Sequence, residues 1–268
     1  MSTFPHDTPV RPSYATLFAD RYDDWFAASN TESTVGFLAA LAEEGPPGPL
    51  LELGSGTGRV ALPLASRGFT VEGLDASPEM TARLRAKPGG SAIRVTLGDF
   101  SAPPEPADTG RYALVYAVGG TFAELDTQEA QRRCLASAAR RLRPGGRLAL
   151  DAHLPEALAT RGTGTQPVDT PGEGFVLRTR TLHPARQQYT SDYAVLDDGR
   201  MRHVRVSFRY FTPGELDLLA EPAGLRLVRR TGGWSGRPLT DSSGHHVSVY
   251  ELPARPSRIP RSSGGRGA

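Results

Sequence analysis

The chain has 268 residues, 38% of them hydrophobic, and a formal net charge of +2. That is enough apolar material for one core, with or without an insertion, and the near balance of charge gives no reason to expect nucleic acid or an anionic membrane as a partner. A single cysteine, Cys134, excludes a disulfide framework or a thiolate metal site within the chain, and no metal is expected.

No apolar run suited to a signal peptide opens the sequence, and no segment reaches the ~18 apolar residues of a membrane span. A cytoplasmic protein is therefore expected. Residues 1–12 carry three prolines and read as an irregular arm. Tyr14, Leu17, Phe18, Tyr22, Trp25 and Phe26 then recur at helical spacing. A second helix over 33–44 ends at the breaker Gly45-Pro46-Pro47-Gly48-Pro49. Residues 1–48 are thus expected to form a helical lid.

From 49 to 164 the pattern alternates. Residues 49–53, 70–74, 92–97, 112–118 and 147–152 read as strands, and helical patterns separate most of them. Ser77 caps one helix with Pro78 in its first turn. Thr127 opens another that runs to Leu142 and stops at Pro144-Gly145-Gly146, and Cys134 lies on its apolar side as a buried thiol. Pro63 falls inside the helical run that starts at Val60, which is tolerable only near the helix start. Such alternation predicts an α/β fold with a parallel sheet covered on both faces.

At about residue 165 the period changes to two. Residues 175–181, 189–196 and 201–210 alternate, with Asp197-Asp198-Gly199 as a hairpin signal. This predicts an antiparallel insert over 165–211, placed at the carboxyl ends of the parallel strands either to roof an acceptor pocket or to pair two subunits. Thr212-Pro213-Gly214-Glu215 opens a last helix as a capping box. Strands over 225–229 and 246–252 complete the core by residue 252, and 253–268 reads as a disordered tail.

The stretch Leu51-Glu52-Leu53-Gly54-Ser55-Gly56-Thr57-Gly58-Arg59 joins the first strand to the next helix. Its glycines permit a tight turn with bare backbone beside a ligand. Asp75 ends the second strand 21 positions after Gly54. Strand, glycine turn, helix, strand and terminal acid form a layout that holds a ribose-bearing cofactor. A nicotinamide or flavin fingerprint places its third glycine one position later than Gly58. That weakens a nicotinamide-dependent oxidoreductase, as does the lack of a tyrosine four residues before Lys87, the sole lysine.

The spacing Glu52, Gly54, Gly56, Gly58 resembles the first motif of class I S-adenosylmethionine-dependent methyltransferases. Four further segments are similar to that family in the same order. They are Gly73-Leu74-Asp75-Ala76-Ser77-Pro78-Glu79-Met80, Gly98-Asp99-Phe100, the strand at 112–118 and Leu142-Arg143-Pro144-Gly145-Gly146. The resemblance implies a Rossmann-like seven-stranded sheet whose last strand runs antiparallel, with S-adenosylmethionine as cofactor. It implies that Asp75 accepts from the ribose hydroxyls, that Asp99 accepts from the adenine amine and that Phe100 covers the ring. The cofactor set it implies comprises Glu52, Gly54, Gly56, Gly58, Arg59, Asp75, Ala76, Met80, Gly98, Asp99, Phe100 and Ala117; the rings of Tyr14, Tyr22, Trp25 and Phe26 either cover the cofactor, with Tyr22 reaching it, or pack their helix onto the domain.

Within the family the sequence looks most like bacterial small-molecule methyltransferases of secondary metabolism, including sugar N-methyltransferases. The expected reaction is methyl transfer to N or O of a small metabolite. A methyltransferase-like cyclase and a non-catalytic subunit share the same motifs and stay open. For the acceptor site the candidates are Tyr14, Trp25, Phe122, His153 and His245. His153, at the end of the fifth strand, is the expected base if the acceptor is a hydroxyl. Glu124 and His246 are the other titratable candidates. Trp234 is read as core.

Overall fold

The computed structural model describes residues 19, 22–23, 30–100, 109–161, 163–168, 175–197 and 199–254. The expected arm, most of the first aromatic helix and all but the first two residues of the expected tail lie outside these residues. The elements in chain order begin with α1 (Thr31–Glu44), β1 (Leu50–Leu53), α2 (Ala61–Ser66), β2 (Val71–Asp75), α3 (Pro78–Ala86), β3 (Arg94–Leu97) and β4 (Tyr112–Ala117). They continue with α4 (Gln128–Arg141), β5 (Leu142–His153), α5 (Pro155–Arg161), β6 (Gly164–Val168), β7 (Phe175–His183), β8 (Gln188–Asp197) and β9 (Arg200–Arg209). Helix α6 (Pro213–Ala220) and strands β10 (Arg226–Thr231) and β11 (His245–Glu251) close the core.

Seven strands form one sheet in the order β10-β11-β5-β4-β1-β2-β3. Strand β1 pairs in parallel with β2 and β4, while β11 runs antiparallel to both β5 and β10. The expected seven-stranded sheet with an antiparallel last strand is what the chain forms. Every residue of β1, β2 and β4 is buried, as strands covered on both faces require. Leu51, Leu53, Val115, Leu148 and Leu150 pack on one face with Cys134 and Leu135 of α4 and Leu216 of α6. Leu50, Leu114, Tyr116 and Ala149 pack on the other with Val35 and Leu38 of α1 and Leu64 of α2. The thiol of Cys134 is buried, which pushes it up to about 12.

Local chemistry sets the helix starts. The hydroxyls of Ser77, Thr127 and Thr212 accept from the amides of Met80, Ala130 and Glu215, as N-caps do. Pro63 sits in the first turn of α2, where an amide has no intrahelical acceptor to lose. Among the described residues no helix is long and apolar enough to cross a membrane.

The second sheet runs β6-β7-β8-β9, antiparallel throughout. Asp197 pairs with Arg200, and Gly199 takes φ 71° in the turn. The insert is tied to the core through buried Arg209, which donates to Gln131 Oε1 at 2.7 Å, to Gln187 Oε1 at 2.9 Å and to Glu215. Two elements escaped the sequence reading, α5 and β6. Strand β6, Gly-Thr-Gln-Pro-Val, is exposed over its first four residues. It therefore carries no period-two signal, and its proline is acceptable because the strand lies at a sheet edge.

Candidate functional site

Chain order reverses on either side of β1, and in open α/β sheets ligands bind beyond the carboxyl ends at that point. A cavity of about 380 Å³ opens there, within the range of small-molecule sites. Its walls come from six separate stretches. Gly54 and Gly56 follow β1, and Asp75, Ala76, Ser77 and Met80 span the end of β2 and the start of α3. Phe100 follows β3, and Thr121, Glu124 and Asp126 follow β4. Arg205, Val206 and Ser207 of β9 close one side, and Tyr22 adds an aromatic wall.

The three glycines of the turn do different work. All have positive φ: 72° at Gly54, 51° at Gly56 and 83° at Gly58. A Cβ on Gly54 would lie 2.5 Å from Thr121 Cγ2. On Gly58 it would lie 2.9 Å from Leu84 Cγ, away from the cavity, so Gly58 serves the packing of α3 on the turn. At Gly56 nothing lies within 4 Å of that position. The turn there leaves bare space on the cavity side that any other residue would fill.

Asp75 is buried beside this turn. Its Oδ2 accepts from Gly56 N at 2.6 Å and its Oδ1 from Ser77 N at 2.8 Å. Burial raises its carboxyl, and the two amides oppose that. A carboxylate has about four acceptor sites, so two remain for the hydroxyls of a ribose. The bare turn at Gly56, this carboxylate and the Met80 and Phe100 side chains fit an adenosyl group with its diol and flat base.

Glu124 and Asp126 are the other acids of the cavity. The Glu124 side chain is open to the cavity but enclosed by protein beyond it, and burial, reinforced by Asp75, pushes its carboxyl up to about 7. Tyr22 is raised to about 12 by burial, with the Arg59 guanidinium opposing. Its neighbour Asp23 accepts from Thr57 Oγ1 at 2.6 Å and pairs with Lys87 Nζ at 2.7 Å. Lys87 also donates to the Thr57 carbonyl at 2.8 Å.

Several expected site residues lie elsewhere. Glu52 is buried behind the turn, accepts from Tyr116 Oη at 3.3 Å and is pushed up to about 8 by burial. Arg59 donates to Thr31 Oγ1 at 3.1 Å. Neither borders the cavity, nor do Gly98 and Asp99. Ala117 and Phe122 are core residues: Ala117 is buried at the end of β4, and the Phe122 ring meets Phe211 edge-on at 5.6 Å. His153 also does not border the cavity. It stands opposite His245 in register, and the two rings pack edge to face at 5.4 Å. His246 is buried on the other face against Phe211, and burial drives its imidazole down to about 4. Tyr14 and Trp25 lie outside the described residues.

Sequence reading missed two features. Asp151, a lone carboxylate in the apolar run of β5, accepts from Gly119 N at 3.0 Å, Gly120 N at 2.9 Å and Trp234 Nε1 at 3.0 Å. His245 Nε2 lies 3.2 Å from it. Asp151 thereby fixes the loop that carries Thr121 and Glu124. The second feature is the β9 wall, which comes from far along the chain.

Residues 50–146 match the methyltransferase domain family. The chain is similar to the CcbJ methyltransferase from Streptomyces caelestis, with 35% identity and a TM-score of 0.79, covering 88% of this chain and 96% of that one. It is 28% identical over 204 residues to the cypemycin N-terminal methyltransferase of a Streptomyces species, spanning 75% of this chain and 82% of that protein. The fold is shared with CalS10, an amino pentose methyltransferase from Micromonospora echinaspora solved with S-adenosylmethionine bound. That match has a TM-score of 0.62 at 23% identity and covers 83% of this chain and 90% of that one.

Proposed function

The chain belongs to the S-adenosylmethionine-dependent methyltransferases, and we propose that it methylates an amine nitrogen of a small metabolite in natural-product biosynthesis. One observation carries the choice of nitrogen. The carboxylates Asp75, Glu124 and Asp126 share the cavity, and the one basic side chain among its described lining residues, Arg205, has its Nε on Asp192 at 2.7 Å. A cavity of that charge draws in an ammonium. The names of the cypemycin and amino pentose enzymes agree with an amine.

In this reading Tyr22, Gly54, Gly56, Asp75, Ala76, Met80 and Phe100 hold the cofactor. Asp75 takes the ribose hydroxyls in the acceptor sites its two amides leave open. When bound, the cofactor supplies a methyl on a positively charged sulfur. Glu124 performs the protein's chemical step. Its carboxylate accepts a proton from the acceptor ammonium, which frees the nitrogen lone pair for attack, and near pH 7 a carboxyl at about 7 suits that transfer. Thr121 and Asp126 fix the acceptor on the same loop, and β9 excludes water from one side.

Glu124→Gln tests the reading. Turnover on an amine acceptor should fall ~10²-fold, while affinity for S-adenosylhomocysteine stays within about threefold, because the loss is one of proton transfer. A fully active Glu124→Gln would overturn it.

A further inference from the structure

The edge of the insert that borders the cavity has a defined hydrogen-bonding state. Strand β9 ends its sheet. Tyr210 N donates to Gln187 O at 2.9 Å, and the register puts those two residues opposite each other. In an antiparallel pair, bonded and non-bonded positions alternate. Even-numbered β9 residues therefore bond to β8, and Arg205 and Ser207 direct N–H and C=O away from it. Among the described residues no strand pairs with that edge, and the Arg205–Ser207 stretch borders the cavity that also holds Glu124 and Asp126. The segment Thr121–Glu124 packs against β9, which brings the acidic loop close to that strand.

An amide-bearing chain laid along this edge would satisfy donors and acceptors that otherwise face a cavity, the mode by which extended peptides add to sheets. The acidic loop at its end selects a terminal ammonium. We propose that the acceptor is an extended peptide, which pairs through its backbone amides with Arg205 and Ser207 of β9 and presents its amino terminus to Glu124. The proposal rests on the amine-acceptor reading above and narrows it to a peptidyl amine.

The test uses the full chain with S-adenosylmethionine and three probes, read by formation of S-adenosylhomocysteine. These are a pool of tetrapeptides with free amino termini and randomised side chains, the same pool N-methylated at every internal amide, and a set of simple alkylamines. The free pool should be turned over at least tenfold faster than the N-methylated pool, which cannot donate along the edge. Ser207→Pro removes an edge N–H without removing a ladder bond and should slow the free pool at least tenfold. Met201→Pro removes an edge N–H farther along β9, at an exposed side chain away from the cavity, and should leave turnover within threefold, which controls for folding. Equal turnover of the two pools, or a Ser207→Pro enzyme with unchanged rate, overturns the peptide proposal while leaving the amine reading standing. If only the alkylamines are methylated, the peptide proposal also falls. If no amine of any kind is methylated, the amine reading fails and takes this proposal with it.

Discussion

Asp151 and Trp234 are joined by a 3.0 Å hydrogen bond from the indole N–H to the carboxylate. This relationship ties the end of β5 to the loop between β10 and β11. Burial alone would raise the Asp151 carboxyl, but His245 and the amide donors bring it below the ordinary range. Trp234→Phe would keep the edge contact with Phe37, now 5.5 Å between centroids, and lose one donor to a buried charge. The expected loss is about 1–3 kcal/mol of stability. Asp151→Asn should cost more, roughly 3 kcal/mol or above, since an amide group would face donors with a donor of its own. Urea denaturation of both variants checks this, and unchanged midpoints would deny Asp151 its anchoring role.

The glycine turn yields a separable pair of outcomes. Gly58→Ala drives a Cβ against Leu84 and Leu62 at a positive φ. It should lower the melting temperature while cofactor affinity in the surviving folded protein changes little. At Gly56, Gly56→Ala puts a Cβ where no protein atom lies within 4 Å, at the same kind of positive φ, and fills the space beside Asp75. It should weaken S-adenosylhomocysteine binding at least tenfold, read by calorimetry, with a smaller thermal shift. The reverse pattern would mean that the cavity beside Gly56 does not receive the cofactor.

What could be read ahead of the structure follows from the range of the forces involved. The turn at 54–58, Asp75 and the caps at Ser77, Thr127 and Thr212 are local rules, and each lies where its pattern put it. Ala117, placed in the cofactor set, is buried at the end of β4. Phe122, assigned to substrate, fills the core against Phe211. Glu124 was in view because acids just past a strand's carboxyl end face the ligand edge. Nothing local distinguished it from His153, whose ring turns to His245 only because β11 brings that histidine into register. The Arg205–Ser207 wall depends on docking β9 against a loop that follows the fourth strand, far earlier in the chain, an arrangement no short-range pattern specifies.

Two carboxyls held above their ordinary range make stability depend on pH. Burial raises Glu124 to about 7 and Glu52 to about 8 in the folded chain, above the ordinary carboxyl value of 4.5. Between the unfolded and folded values the native state holds more protons than the unfolded state, so stability falls as pH rises through that window. The cofactor-free protein should therefore be more stable at pH 5.5 than at pH 8.5, and Glu52→Gln should flatten that difference. Thermal melts across this range check both, and a stability that climbs from pH 5.5 to 8.5 would contradict the assignment.

The last outcome concerns His153, the residue that sequence reasoning would choose as base. Strand alternation gives it the same face as Asp151, and its ring packs against His245 rather than bordering the cavity. If Glu124 takes the proton, His153→Ala should change turnover on an amine by less than about fivefold, and what is lost should appear as reduced stability from the missing ring contact. The rate should still rise with pH through about 7 in that variant, because the carboxylate that sets the dependence is intact. In Glu124→Gln the rise should vanish. Measuring kcat against pH for the two variants side by side separates the candidates. A His153→Ala enzyme slowed a hundredfold, with Glu124→Gln retaining the pH rise, would return the base to the histidine.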